Sequence, residues 1–149
     1  MAFQTSVRDW PPFSDSVEAL RSLQRKYKLV VLSNIDDDLF EYSKARLGIE
    51  FHRVFTAQQI GSYKPAKRNF EYALNALAVP GERILHVAQS LFHDIAPARK
   101  MGLSTVWVNR RQGQDGFGAT PMADAEPDLE VQNLKTLASI ANASLESNQ

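Results

Sequence analysis

Three short polar segments carry residue types that could do chemistry: Ser33-Asn34, Lys64 within Tyr63-Lys64-Pro65, and the run Gln89-Ser90-Leu91-Phe92-His93-Asp94. A hydroxyl, an ammonium and a carboxylate brought together can bind and polarise a small anion. Ser33 and the backbone amides after it can donate to a carboxylate or phosphate. Lys64 can neutralise a substrate anion and a catalytic carboxylate together. Asp94 can hold Lys64 in place or orient a water. Preorganised charge of this kind is often a large part of catalysis. Each residue also has a plainer reading: a serine after a strand caps a turn, a loop lysine is solvated, and Asp94 caps a helix. Joint placement at one edge is what favours a site.

The elements that must position these segments can be read from the pattern. Residues 29–32, LVVL, form a continuous apolar run, as in a strand covered on both faces, and end at Ser33. A short strand is expected near 54–57, and a third at 84–88, ILHVA, stopping at the polar run 89–94. Strand 105–108 and a small edge strand at 128–131 complete the set. Helices are expected from Ser14 or Asp15, where Val17, Leu20 and Leu23 recur at helical spacing, from Asp36 to about Leu47, over 67–78, from about His93 to Met101, and from an Asn133 cap to about Leu145. Strands alternating with helices predict a doubly wound parallel α/β sheet. Right-handed crossovers then bring the carboxyl ends of the strands to one edge, where ligands bind in open α/β sheets.

Composition narrows the field. The chain has 149 residues, 17 Lys plus Arg against 17 Asp plus Glu, and no cysteine. Balanced charge gives no general field toward nucleic acid or a membrane surface. The absence of cysteine excludes disulfides, thiolate metal sites and a Cys nucleophile, and a cytoplasmic location is expected. Asp36, Asp37 and Asp38 read as helix capping more readily than as a metal site. His93 reads as solvated, His52 and His86 as structural, with His86 a hydrogen-bonded core residue. Arg110-Arg111 reads as a solvated loop, and Trp10 and Trp107 as packing residues.

In order along the chain, LVVLSN, YKP and ILHVAQSLFHDIAPARKMGL resemble motifs two, three and four of the haloacid dehalogenase-like hydrolases, over about residues 12–140. The wording of TAQQIGSYKP and HVAQSLFHDIAPAR is similar to the 2-haloacid dehalogenase type II branch. The resemblance implies a Rossmann-like core and hydrolytic cleavage of a carbon–halogen bond through an aspartyl ester. It also implies substrate-anion binding by Ser33 and Asn34 with Gln89 and Ser90 beside them, catalytic roles for Lys64 and Asp94, and a small anionic substrate such as a 2-haloacid.

Three departures bear on that expectation. Magnesium-dependent phosphatases of the superfamily carry an acid directly after the glycine of motif four; Ala88-Gln89 stands there. No metal or other cofactor is therefore expected, magnesium entering only under a phosphatase alternative. Well-known dehalogenases carry serine at Gln89, asparagine at Leu91 and tyrosine at Phe70. The family's motif-one aspartate, at the end of a central first strand, has no counterpart. Residues 1–13 read as a remnant of the exit from a cap domain, 14–145 as a partial core and 146–149 as a tail. On this reading the chain is a truncated form whose central strand is missing, or is supplied by another chain as in a homodimer. Losing such a strand would remove roughly 10 kcal/mol of apolar burial. The expected function is a dehalogenase-like hydrolase that is inactive alone. The alternatives are a phosphatase of the same superfamily, a non-catalytic remnant binding an anion or a partner, or a gene fragment with no independent role.

Overall fold

A computed structural model of the chain describes residues 2–5, 14–34, 48–109 and 125–147. In chain order its elements are β1 (Ala2–Thr5), α1 (Ser14–Gln24), β2 (Lys28–Ser33), β3 (Arg53–Thr56), α2 (Ala57–Ile60), α3 (Lys67–Leu77), β4 (Ile84–Ala88), α4 (Ala96–Lys100), β5 (Ser104–Val108), β6 (Leu129–Val131) and α5 (Leu134–Ser147). A π-helical turn, Leu91–Ile95, joins β4 to α4. The six strands form one sheet in the order β3-β2-β1-β4-β5-β6, and every pairing is parallel.

This is the expected doubly wound sheet, with one correction. The central strand is not missing. Ala2–Thr5 pairs with β2 through Phe3↔Leu29 and with β4 through Phe3↔Leu85. Residues 2–5 are therefore sheet rather than linker, and no second chain is required to fill the gap. The predicted segments Asp36–Leu47, Trp10-Pro11-Pro12-Phe13 and Arg110-Arg111 lie outside the described residues.

Alternation along the strands explains the two-sided core. Leu29 and Val31 join Leu20 and Leu23 of α1 and Leu134 and Leu137 of α5 on one face. Val30 and Leu32 point the other way, into a cluster with Phe55, Phe70 of α3, Ile84 and Ala98. A parallel sheet covered on both faces needs such continuous apolar strands. Asn133 caps α5 as expected, accepting from the Thr136 amide at 2.8 Å. The short helix α2 was not anticipated. Thr56 starts it by accepting from the Gln59 amide, and Gly61 ends it in the left-handed conformation at φ 77°.

At the far edge, Asp128 ties β6 to β5. Its Oδ2 accepts from the Thr105 amide at 2.7 Å and the Thr105 hydroxyl at 3.2 Å, while Oδ1 accepts from Arg99 at 3.0 Å. Asp128→Ala is expected to cost about 1–2 kcal/mol in urea unfolding, because a backbone donor loses its acceptor. Arg99→Ala should cost under about 1 kcal/mol, since that ion pair is half exposed. Equal losses from the two variants would contradict this.

Candidate active site

The strand order reverses between β1 and β4, and the carboxyl ends of β2, β1 and β4 lie side by side there. In doubly wound sheets such a switch point opens a crevice. Ser33 is fully buried at the end of β2. Asn34 follows, and its amide grips the loop that carries Lys64. Its Oδ1 accepts from the Lys64 backbone N–H at 2.7 Å, and its Nδ2 donates to the Lys64 carbonyl at 3.2 Å. Both functions of the amide are thus engaged in orienting Lys64.

The Lys64 side chain runs inward rather than into solvent. Its Nζ lies 2.5 Å from Oδ1 of Asp94, with both side chains essentially buried. Asp94 is brought there by the π-helical turn. Ser90 accepts the His93 amide on its Oγ at 3.0 Å, and its carbonyl accepts both the Asp94 and Ile95 amides at 3.2 Å. The Ser90-to-Ile95 bond is the wide π-type bond, a winding often found at functional sites. Pro97 follows in the first turn of α4, where its missing N–H is tolerated.

His86, in the middle of β4, supplies a second donor. Its Nε2 lies 2.9 Å from the same Asp94 oxygen, and the imidazole is fully buried. Burial alone would push the Asp94 carboxyl up. That is the largest single effect, but the Lys64 charge, the hydrogen bond and charge of His86 and the hydrogen bond from Lys64 together outweigh it, and Asp94 is held down at about 2. Asp94 is thus a carboxylate at neutral pH and can only accept, so Nε2 of His86 carries the hydrogen.

Gln89 and Ser90 occupy the same edge. The Gln89 carbonyl accepts from Nε1 of Trp107 at 3.0 Å, which fastens the loop to β5. Its side-chain Nε2 is buried with no hydrogen-bond partner among the described residues, and the same holds for Oδ2 of Asp94. His93 stands off the cluster, its Nδ1 3.0 Å from the Ser90 hydroxyl.

The structure therefore brings Lys64 and Asp94 into direct contact, with Asn34 bonded to the Lys64 backbone, and sets Ser33, Gln89 and Ser90 at the adjoining strand ends. Three features escaped sequence reasoning: the grip of Asn34 on Lys64, the bond of Trp107 to Gln89, and the identity of the partner of His86. Only the last left a signal, a polar residue inside the apolar run ILHVA.

Sheet order and site together define a Rossmann-like α/β core with a buried lysine–aspartate pair at its switch point. The family model for haloacid dehalogenase-like hydrolases matches residues 3–102, and the chain belongs to that family. It is 30% identical over 133 residues to an (S)-2-haloacid dehalogenase of Pseudomonas sp. strain YL, covering 87% of this chain and 54% of the relative. A glyceraldehyde 3-phosphate phosphatase of Methanopyrus kandleri is 31% identical over 134 residues, covering 87% of this chain and 56% of the relative. The crystal structure of an L-2-haloacid dehalogenase superposes with a TM-score of 0.75 at 24% identity, covering 90% of this chain and 56% of the other. The chain spans about half the length of these curated relatives.

Proposed function

We propose that this site is the anion-binding half of a hydrolase active site of the 2-haloacid dehalogenase kind. The observation that carries the reading is the buried Lys64–Asp94 pair at 2.5 Å, held at the sheet's switch point beside Ser33. An ammonium already balanced by a carboxylate can turn toward an incoming carboxylate without being left unpaired. Ser33 and the amides after it are suited to donate to the substrate's carboxylate, with Gln89 and Ser90 beside them. In the reaction proposed for the whole enzyme, an aspartate displaces halide from C2 of a 2-haloacid. Water then cleaves the resulting ester to a 2-hydroxy acid and regenerates the aspartate.

That aspartate belongs at the end of the central strand. Here Ala2–Thr5 is followed by Ser6-Val7-Arg8, which offer no carboxylate. The chain by itself is therefore expected to show no turnover. Halide released from 2-chloropropionate by the purified chain should not exceed that released by its Lys64→Ala variant; a clear excess would overturn the expectation.

Phosphatase relatives of similar identity keep a second reading in view. The donor set argues against it. A magnesium site of that kind draws on carboxylates. Gln89 puts a neutral amide where an acid would be needed, and the Asp94 oxygen nearest the cluster is already taken by Lys64 and His86. These residues do not fit the ion. Anion binding without turnover is the outcome expected of a non-catalytic remnant as well, and the halide assay on a full-length relative with this loop would separate the two.

A further inference from the structure

We infer that His86 is a positioning residue for the reaction site, fixing which oxygen Asp94 presents to Lys64 and so where the lysine ammonium stands. The inference rests on Lys64 being the anion-facing charge. His86 sits in the interior of the sheet, level with Gln4 of β1 and Thr105 of β5, and is fully buried. A polar ring there gains nothing in packing over a phenylalanine, and burying its nitrogens is costly unless they are bonded. Only one of them has a partner among the described residues. Nε2 reaches Asp94, and Nδ1 reaches none. A histidine serving only to join elements would be expected to use both.

The ring is also held in orientation. It meets Phe70 of α3 edge to face, with centroids 5.3 Å apart and planes at 77°. That contact aims Nε2 at Asp94. Two donors then converge on a single oxygen, Nε2 at 2.9 Å and the Lys64 Nζ at 2.5 Å, leaving Oδ2 buried without a partner among the described residues. A carboxylate held by Lys64 alone could turn about its Cβ–Cγ bond and carry the long, flexible lysine with it. With His86 in place the carboxylate has one rotation, and the ammonium has one position beside the ends of β2 and β4.

The test uses three substitutions in the full chain, read by nitrogen-15 NMR of the Lys64 Nζ hydrogens and the His86 ring. His86→Phe keeps the ring and loses the donor. His86→Gln returns an N–H at the reach of Nε2, and His86→Asn returns one only at the reach of Nδ1. In the unsubstituted chain Nε2 should carry the hydrogen. In the phenylalanine variant the Lys64 hydrogens should exchange with water about tenfold faster, the scale of one lost charge-assisted bond. Glutamine should restore slow exchange, and asparagine should not. If the phenylalanine variant does not fold, the contrast between glutamine and asparagine decides. A merely structural role would lower the urea midpoint and leave Lys64 exchange unmoved. That result, an unprotonated Nε2, or equal rescue by glutamine and asparagine would overturn the inference. If the exchange results hold but the chain binds no 2-chloropropionate, the functional reading fails, and what stands is that His86 fixes the Lys64–Asp94 pair.

Discussion

Asp94→Ala should cost about 3–5 kcal/mol of stability, the usual penalty for leaving a buried charge without its partner. Lys64 is 3% exposed and His86 and Asp94 are fully buried, so water cannot take the carboxylate's place at little cost. The variant strands an ammonium and an imidazole donor together. A loss of that size is a large share of the roughly 5–15 kcal/mol that holds a domain of this kind together. Urea unfolding measures it directly, and a loss under about 1 kcal/mol would mean that the pair is not closed in solution. The same group sets an acid limb. Its folded value of about 2 lies below the ordinary 3.8, so its contribution is complete above 3.8 and fades as pH falls toward 2. That contribution is roughly 2 kcal/mol. Asp94→Ala should therefore lose less stability than the unsubstituted chain across that interval; parallel pH profiles would contradict it.

Gln89→Asp should give the chain a magnesium affinity that the amide at 89 does not support. The substitution sets a second carboxylate on the loop that carries Asp94, and carboxylate oxygens are what magnesium selects. The backbone is already fixed for it, since Trp107 holds the Gln89 carbonyl at 3.0 Å. Titrated with magnesium, the variant should show saturating shifts of the amides at 88–94 at about millimolar concentrations. The unsubstituted chain should show only weak, non-saturating drift. Saturation of both at the same concentration would show that the amide at 89 is no barrier to the ion, and would favour the phosphatase reading.

What could be read from the sequence depended on how local the determining interactions were. β4 was legible at 84–88 because an apolar run meets a polar one at Ala88-Gln89. α3 was legible because Phe70, Leu74 and Leu77 recur at helical spacing before Pro80-Gly81. β1 was not. AFQT is four residues long with two of them polar, and it lacks the apolar run that marked β2. What makes it a strand is a ladder on each side, from Leu29 and from Leu85, and neither is near it in sequence. The start of α2 did leave a mark, since Thr56-Ala57-Gln58-Gln59 has capping-box spacing. In the site, Lys64 and Asp94 were legible as motif residues, but nothing local says that they touch. The Asn34 grip on Lys64 spans 30 residues, and the His86 bond to Asp94 crosses a strand, a loop and a π-type turn.

The most direct test of a small-carboxylate site built on Lys64 is a titration of the chain with 2-chloropropionate in the presence of a metal chelator, followed by NMR. Saturable shifts are expected at Ser33, Lys64 and the amides of 89–90, and they should vanish in a folded Lys64→Ala variant. No saturable shift at these residues, or one that survives Lys64→Ala or appears only when magnesium is added, would contradict the reading.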